Sequence, residues 1–259
     1  MTAVALFGRQ QGQGPPIVIL HGLFGASRNW SQVLGRLAPD WTAAALDLRN
    51  HGQSPWSNDM SYGAMAEDLL AYMDGQGWSQ AVLLGHSMGG KAAMALALTA
   101  PERVRALVVV DMAPRAYESG LDRYIHALTE LDLTGLTRRG EVDQALAPTV
   151  PEKGLRDFLL QNLLWDRDHF TWRLNLAVLE RAMADLVDFP EDLQARCFAG
   201  PAHFISGARS DYVREGDRPH IRKLFPKAGF QVVPEAGHWV HAEAPEPFFA
   251  ALSSYLARL

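Results

Sequence analysis

Leu83-Leu84-Gly85-His86-Ser87-Met88-Gly89-Gly90-Lys91 is the stretch whose reading decides the rest of the chain. Upstream of it, Ala81-Val82-Leu83-Leu84 is a short apolar run of the kind that forms a strand buried on both faces. Downstream, the alanine-rich segment from Ala92 to Ala100 has the composition of a closely packed helix. A turn this short between strand and helix strains the backbone at its apex and leaves the hydroxyl of Ser87 exposed. Glycines are needed at 85 and 89 because side chains there would collide across the turn. The pattern Gly-x-Ser-x-Gly is a nucleophile elbow. Twelve serines and 22 glycines in 259 residues produce roughly 0.09 such matches by chance, so the flanking strand and helix strengthen the reading.

The same residues, Gly85 to Ala92, also spell Gly-x-x-x-x-Gly-Lys-Ala, one residue away from a phosphate-binding P-loop. In that reading Ala106-Leu-Val-Val-Val-Asp111 is the strand and aspartate that hold magnesium. A P-loop needs Ser or Thr after the lysine as a magnesium ligand, and Ala92 has no hydroxyl.

Bulk properties exclude several classes of partner. A chain of 259 residues fits one large α/β domain with an insertion. The net charge of −5 offers no footprint for nucleic acid, and no lysine run suggests a membrane surface. Residues 1–12 lack the basic start and apolar core of a signal peptide, and no apolar stretch approaches a membrane span, so the expected location is the cytoplasm. With Cys197 alone there is no internal disulfide. No His/Cys/Asp set has metal-ligand spacing, and no cofactor motif is present; Gly12 and Gly14 precede a strand instead of following one.

Strand and helix patterns alternate on either side of the elbow. Strands are expected at Thr2–Phe7, Ile17–Leu20, Thr42–Leu48, Ala81–Leu84, Ala106–Val110, Ala202–Ser206 and Phe230–Val233. Helices begin near Trp30 and Ser61, follow the elbow, and close the chain from Phe248. This predicts a mainly parallel sheet covered on both faces, with ligands at the carboxyl ends of the strands. Residues 112–190 read as helices without strands, a helical cap inserted into a core formed by 1–111 and 191–259.

A serine hydroxyl needs a base within hydrogen-bond reach, and the base needs an orienting acid. His238, just beyond the last strand in Ala236-Gly-His-Trp239, is the expected base; His241 is its substitute. His86 adjoins the serine in a turn where neighbours point away, and is expected to pack against the sheet. For the acid, Asp111 ends the strand before the insertion, whereas Asp211 lies one residue beyond the slot held by Ser210. Asp111 is preferred, with Ser210 as an auxiliary hydrogen-bond partner and Asp211 as the alternative. The backbone amides of Leu23 and Met88 are the expected oxyanion donors. Leu23, Phe24, Met88 and Trp239 are expected to line an apolar acyl pocket, with Trp165 of the insertion also facing substrate. Lys91 is expected at the surface or in a salt bridge.

With His21-Gly-Leu-Phe-Gly25, Asp47-Leu-Arg-Asn-His-Gly-Gln-Ser54, Gly85-His-Ser-Met-Gly-Gly90 and Ala236-Gly-His238 assembled, the chain resembles the α/β-hydrolase superfamily over essentially its whole length, and the P-loop reading falls away. Arg49-Asn-His-Gly52, Asp111-Met-Ala-Pro114 and Gly237-His-Trp-Val-His-Ala-Glu243 are similar to small bacterial esterases of the YbfF type. That resemblance implies a triad acid after the strand that follows the elbow helix, with a serine in the later acid slot, as Asp111 and Ser210 stand here. Asp211 beside Ser210 departs from the pattern. It also implies cofactor-free hydrolysis of small-molecule carboxylic esters or acyl thioesters. The scaffold equally hosts C–C bond hydrolases, perhydrolases and slow-turnover ligand receptors; Ser87 disfavours dehalogenation, which places an aspartate there.

Overall fold

The computed structural model describes residues 3–118 and 120–259. Its centre is a seven-stranded sheet in the order β1-β3-β2-β4-β5-β8-β9. These strands are β1 (Gly8–Gln11), β2 (Pro16–Leu20), β3 (Thr42–Leu46), β4 (Ala81–His86), β5 (Val104–Val110), β8 (Ala202–Gly207) and β9 (Ala228–Val233). All neighbours pair in parallel except β1, which runs antiparallel to β3. Because both faces are covered, the central strands are largely apolar and, apart from the partly exposed Arg105, buried.

Alternate side chains serve two cores. Ile17, Ile19, Val82, Leu84, Val108 and Val110 pack with Trp30, with α1 (Ser31–Leu37) and with α10 (Pro245–Leu256). Val18, Leu20, Leu83, Leu107 and Val109 meet α2 (Tyr62–Gly75) and α3 (Met88–Thr99) on the other face. From Met88 to Leu98, α3 is buried on every side, which explains its alanines and glycines: larger residues would not fit between the sheet and α2. Ser61 caps α2 by accepting from the Ala64 N–H.

Two sequence expectations shift at the sheet edge. The first strand is Gly8–Gln11, not Thr2–Phe7, and Thr2 lies outside the described residues. Val4 N–H donates to Asp68 and Phe7 N–H to the Ser54 hydroxyl, so side chains take the bonds that a strand partner would supply. Strand β3 ends at Leu46 because Asp47 turns inward, its carboxylate accepting the N–H groups of Ser27 (2.5 Å) and Gln53 (2.7 Å). The following loop is anchored by Arg49, whose buried guanidinium grips Asp68 of α2 at 2.6 and 2.7 Å and donates to the carbonyls of Asp59 and Ala64. A buried pair survives only when its remaining donors and acceptors are filled, as here.

Between β5 and β8 the chain leaves the sheet and forms α4 (Asp122–Thr129), α5 (Arg139–Leu146), α6 (Lys153–Leu160) and α7 (Leu176–Val187). A hairpin, β6 (Leu163–Asp166) and β7 (His169–Trp172), stands between α6 and α7 where the sequence reads as helix alone. Its turn is Arg167-Asp168, with Arg167 at φ 55°, and the paired Trp165 and Phe170 mark it. Ile125, Leu128, Leu159 and Leu179 of this inserted segment join the same apolar cluster as the α2/α3 face of the sheet. Helices α8 (Arg218–Leu224) and α9 (Val240–Glu243) complete the chain. No helix among the described residues is long and apolar enough to cross a membrane.

Candidate active site

The carboxyl ends of the strands gather the polar residues. Ser87 follows β4, Asp111 follows β5, Ser210 follows β8 and His238 follows β9. Ser87 sits at φ 53°, ψ −120°, a conformation that costs an L-residue of order 1–3 kcal/mol. Steric necessity at the elbow is direct. A Cβ on Gly85 would lie 2.2 Å from the Gly89 carbonyl oxygen. One on Gly89 would meet the His21 carbonyl oxygen at 2.5 Å, so this glycine yields to the end of β2 and not to residue 85 across the turn. Phe24 and Asp111, which lie beside Ser87 in the fold, also hold positive φ, at 64° and 51°.

Ser87 Oγ lies 3.0 Å from His238 Nε2, and His238 Nδ1 lies 2.8 Å from Asp111 Oδ2. The Asp111 carboxylate is fully buried and also accepts from Gly207 N–H (3.2 Å) and the Ser210 hydroxyl. With the carboxylate accepting at Nδ1, the imidazole carries its proton there and presents Nε2 as acceptor to the serine. Tyr212 stacks on the ring with 3.9 Å between centroids. Asp211 points elsewhere: its side chain is 88% exposed and nearest Arg214 at 3.7 Å.

The loop that carries His238 is held on three sides. Glu243 accepts from the N–H groups of Gly237 (2.8 Å) and Trp239 (3.2 Å), and His86 Nε2–H donates to the His238 carbonyl at 2.9 Å. His86 is therefore a buried strut as well as a packed ring. Burial, then the neighbouring His238 and His241, push its basicity well below the ordinary histidine value, which keeps it neutral. Glu243 was legible in principle, since it closes the motif Gly237-His-Trp-Val-His-Ala-Glu243.

A second pair of histidines shapes the loop after β2. His51 Nε2 accepts the Phe24 N–H at 3.3 Å while its Nδ1 bonds the Arg49 carbonyl at 3.0 Å. His21 Nε2 accepts the Leu48 N–H at 3.0 Å, and its Nδ1 bonds the Gly22 carbonyl at 2.8 Å. Both staples tie Gly22–Gly25 to the loop after β3. Leu23 and Met88 flank Ser87 in one cavity, and no hydrogen bond among the described residues occupies either N–H.

Two chambers share Ser87 in their walls. The larger, of about 240 Å³, is walled by Phe24, Tyr124, Phe158, Trp239 and His238. The smaller, of about 30 Å³, lies against Met88, Met112, Met183, Leu186 and Lys91. Leu23 borders both. Trp165 borders neither: pairing with Phe170 across the hairpin holds its indole half-exposed at the surface, contrary to the expectation of a substrate-facing role.

Lys91 is also not at the surface. It is buried, and its ammonium caps the end of α7 by donating to the carbonyls of Leu186 (3.3 Å), Val187 (2.9 Å) and Asp188 (2.7 Å). Burial lowers its pKa to about 7. His241 stacks on Trp30 with 4.2 Å between centroids, and no hydrogen bond to Ser87 is formed. Among the described residues no group of three or more His, Cys, Asp or Glu side chains is arranged to hold a metal ion.

The buried imidazoles are expected to weaken the fold in acid. Burial, then neighbouring His21, takes His51 down to about 3; burial, then His238, takes His241 down to about 4. An imidazole with a folded pKa below its unfolded value of about 6.5 contributes fully above that value. Its contribution is lost as the pH falls toward 3–4, because unfolding takes up the proton. At pH 5 the loss is roughly 2 kcal/mol per such group. Denaturant unfolding at pH 7 and pH 5 is expected to show this drop, and His241→Phe, which keeps a ring against Trp30, is expected to reduce it. An equal drop in the variant would exclude His241 as a contributor.

A protein-family model described as the alpha/beta hydrolase fold matches residues 15–245. The chain is 40% identical over 251 residues to the sn-1-specific diacylglycerol lipase ABHD11 of Mus musculus, covering 94% of this chain and 81% of that protein. It is 36% identical over 249 residues to the esterase YbfF of Escherichia coli, covering 96% and 95%. A solved marine microorganism esterase superposes with a TM-score of 0.94 at 33% identity, covering 98% of this chain and all of that one. With a largely parallel sheet, a strained serine between β4 and α3, and a family match over residues 15–245, the chain belongs to the α/β-hydrolase fold family and is related to YbfF.

Proposed function

We propose that this chain is a serine hydrolase of carboxylic esters, acting through an acyl-enzyme on Ser87. The observation that carries the reading is the unbroken line from Ser87 Oγ through the His238 ring to Asp111, at 3.0 and 2.8 Å. The relatives named as esterase and lipase favour an ester as the bond cleaved.

In this mechanism His238 Nε2 takes the hydroxyl proton as Ser87 Oγ attacks the carbonyl carbon. Asp111 stabilises the imidazolium that forms, and the Leu23 and Met88 N–H groups bind the negative oxygen. One such donor is worth about 2.7–4 kcal/mol in the transition state. The imidazolium then protonates the departing alkoxide, leaving the acyl group on Ser87. Water, deprotonated by the same nitrogen, attacks the acyl-enzyme, and collapse releases the acid and restores the serine. A thioester fits the same steps with a thiolate leaving group.

The test is active-site titration. One equivalent of an alkyl fluorophosphonate is expected to abolish p-nitrophenyl acetate hydrolysis and to add its mass to the peptide containing Ser87. Undiminished turnover after labelling, or labelling elsewhere, would reject the assignment.

A further inference from the structure

Both chambers touch Ser87, but only one touches the base. His238 walls the larger chamber and is absent from the smaller. General-acid catalysis requires the leaving oxygen to lie within reach of His238 Nε2, so the alcohol must extend on the imidazole side. The carbonyl oxygen points between the Leu23 and Met88 amides. The remaining substituent on the carbonyl carbon is the acyl chain, and its remaining direction is the smaller chamber, where Met88 itself forms a wall. Resting on the ester-hydrolase reading above, we propose that the smaller chamber is the acyl subsite, cut for uncharged acyl groups of two to four carbons, and that the larger chamber receives the leaving group.

Size supports the short chain. A space of about 30 Å³ exceeds the roughly 10–15 Å³ needed to hold one water, and so admits about two carbons beyond the carbonyl. Its walls include Met112 and Met183, whose flexible thioethers can yield enough for one more. Lys91 limits the chemistry in a different way. Its ammonium has three N–H donors, and the carbonyls of Leu186, Val187 and Asp188 face all of them. No N–H donor of Lys91 is then left for a carboxylate at the end of the acyl chain, whose charge would be buried among Met112, Met183 and Leu186 without a hydrogen bond. The larger chamber, by contrast, offers aromatic rings, Phe158 and Trp239 in edge contact, to a bulky alcohol.

Two substrate series with the 259-residue chain separate the subsites. In p-nitrophenyl esters, where only the acyl group changes, kcat/KM is expected to peak between acetate and butyrate and to fall at least tenfold by octanoate. In acetates of phenol, 2-naphthol and larger aryl alcohols, where only the leaving group grows, no such fall is expected. Met183→Ala should raise the octanoate-to-acetate ratio by about tenfold, and Phe158→Ala should weaken the bulky acetates while leaving that ratio alone. Octanoate preferred over butyrate, a hemisuccinate preferred over butyrate, or a ratio unmoved in folded Met183→Ala would overturn the subsite assignment. If Met183→Ala does not fold, the two wild-type series decide the matter. Turnover with a flat acyl profile refutes this inference and leaves ester hydrolysis standing; no turnover of any ester, with no fluorophosphonate adduct on Ser87, refutes both.

Discussion

Ser87→Ala is expected to reduce the kcat for p-nitrophenyl acetate by about 10⁶-fold, the scale on which triad hydrolases lose activity when the nucleophile is removed. The argument is geometric. Among the described residues, no other hydroxyl is hydrogen-bonded to His238 Nε2, so no neighbour can take over the attack. The variant should remain folded, because Ser87 Oγ bonds only to the imidazole and its backbone N–H and carbonyl keep their partners, Val110 and Lys91. Alanine retains the Cβ and therefore the strain at φ 53°. Ser87→Gly should relieve part of it and unfold at a higher temperature than Ser87→Ala, with equal loss of activity. Rates from stopped assays and melting temperatures of the two variants check both halves. A folded Ser87→Ala enzyme with substantial turnover would remove the acyl-enzyme from consideration.

Asp111→Asn is expected to lower kcat by about 10⁴-fold, with Asp211→Asn changing it by less than twofold. In the buried site, the Gly207 N–H requires an acceptor, which the asparagine carbonyl oxygen can provide. Its NH₂ then faces His238 Nδ1 and drives the imidazole to the tautomer with the proton on Nε2. That nitrogen can no longer accept from Ser87. Asp211 makes no contact with the ring and its carboxylate lies in solvent, so its neutralisation alters only a screened surface charge. Steady-state rates of the two variants, with circular dichroism as a control for folding, are the measurement. A larger loss in Asp211→Asn would show that the loop after β8 rearranges to supply the acid.

Several elements of this protein are plain in the linear chain because short-range physics specifies them. Gly85, whose Cβ would meet the carbonyl of Gly89 four residues on, marks the tight turn, and the apolar run before it reads as a buried strand. Ser61 announces the start of α2 through its capping oxygen, and the cap is found. His238 is recognisable because a histidine just past the last strand of a parallel sheet falls at the end where ligands bind. The hairpin at 163–172 was hidden for the opposite reason. Its apolar spacing continues that of α6, and only cross-strand pairing of Trp165 with Phe170 distinguishes it from another helical turn.

From its own residues the sequence determined the parallel sheet, the strained serine and the histidine opposite it, all consequences of local sterics and of strand order along the chain. Which of two aspartates meets the imidazole, where Lys91 spends its three donors, and how the space beside Ser87 divides into two chambers were decided only by tertiary structure. Those outcomes depend on contacts between segments some hundred residues apart, such as Asp111 with His238 and Lys91 with Asp188, whose geometry emerges only once the sheet has brought their strands and loops together.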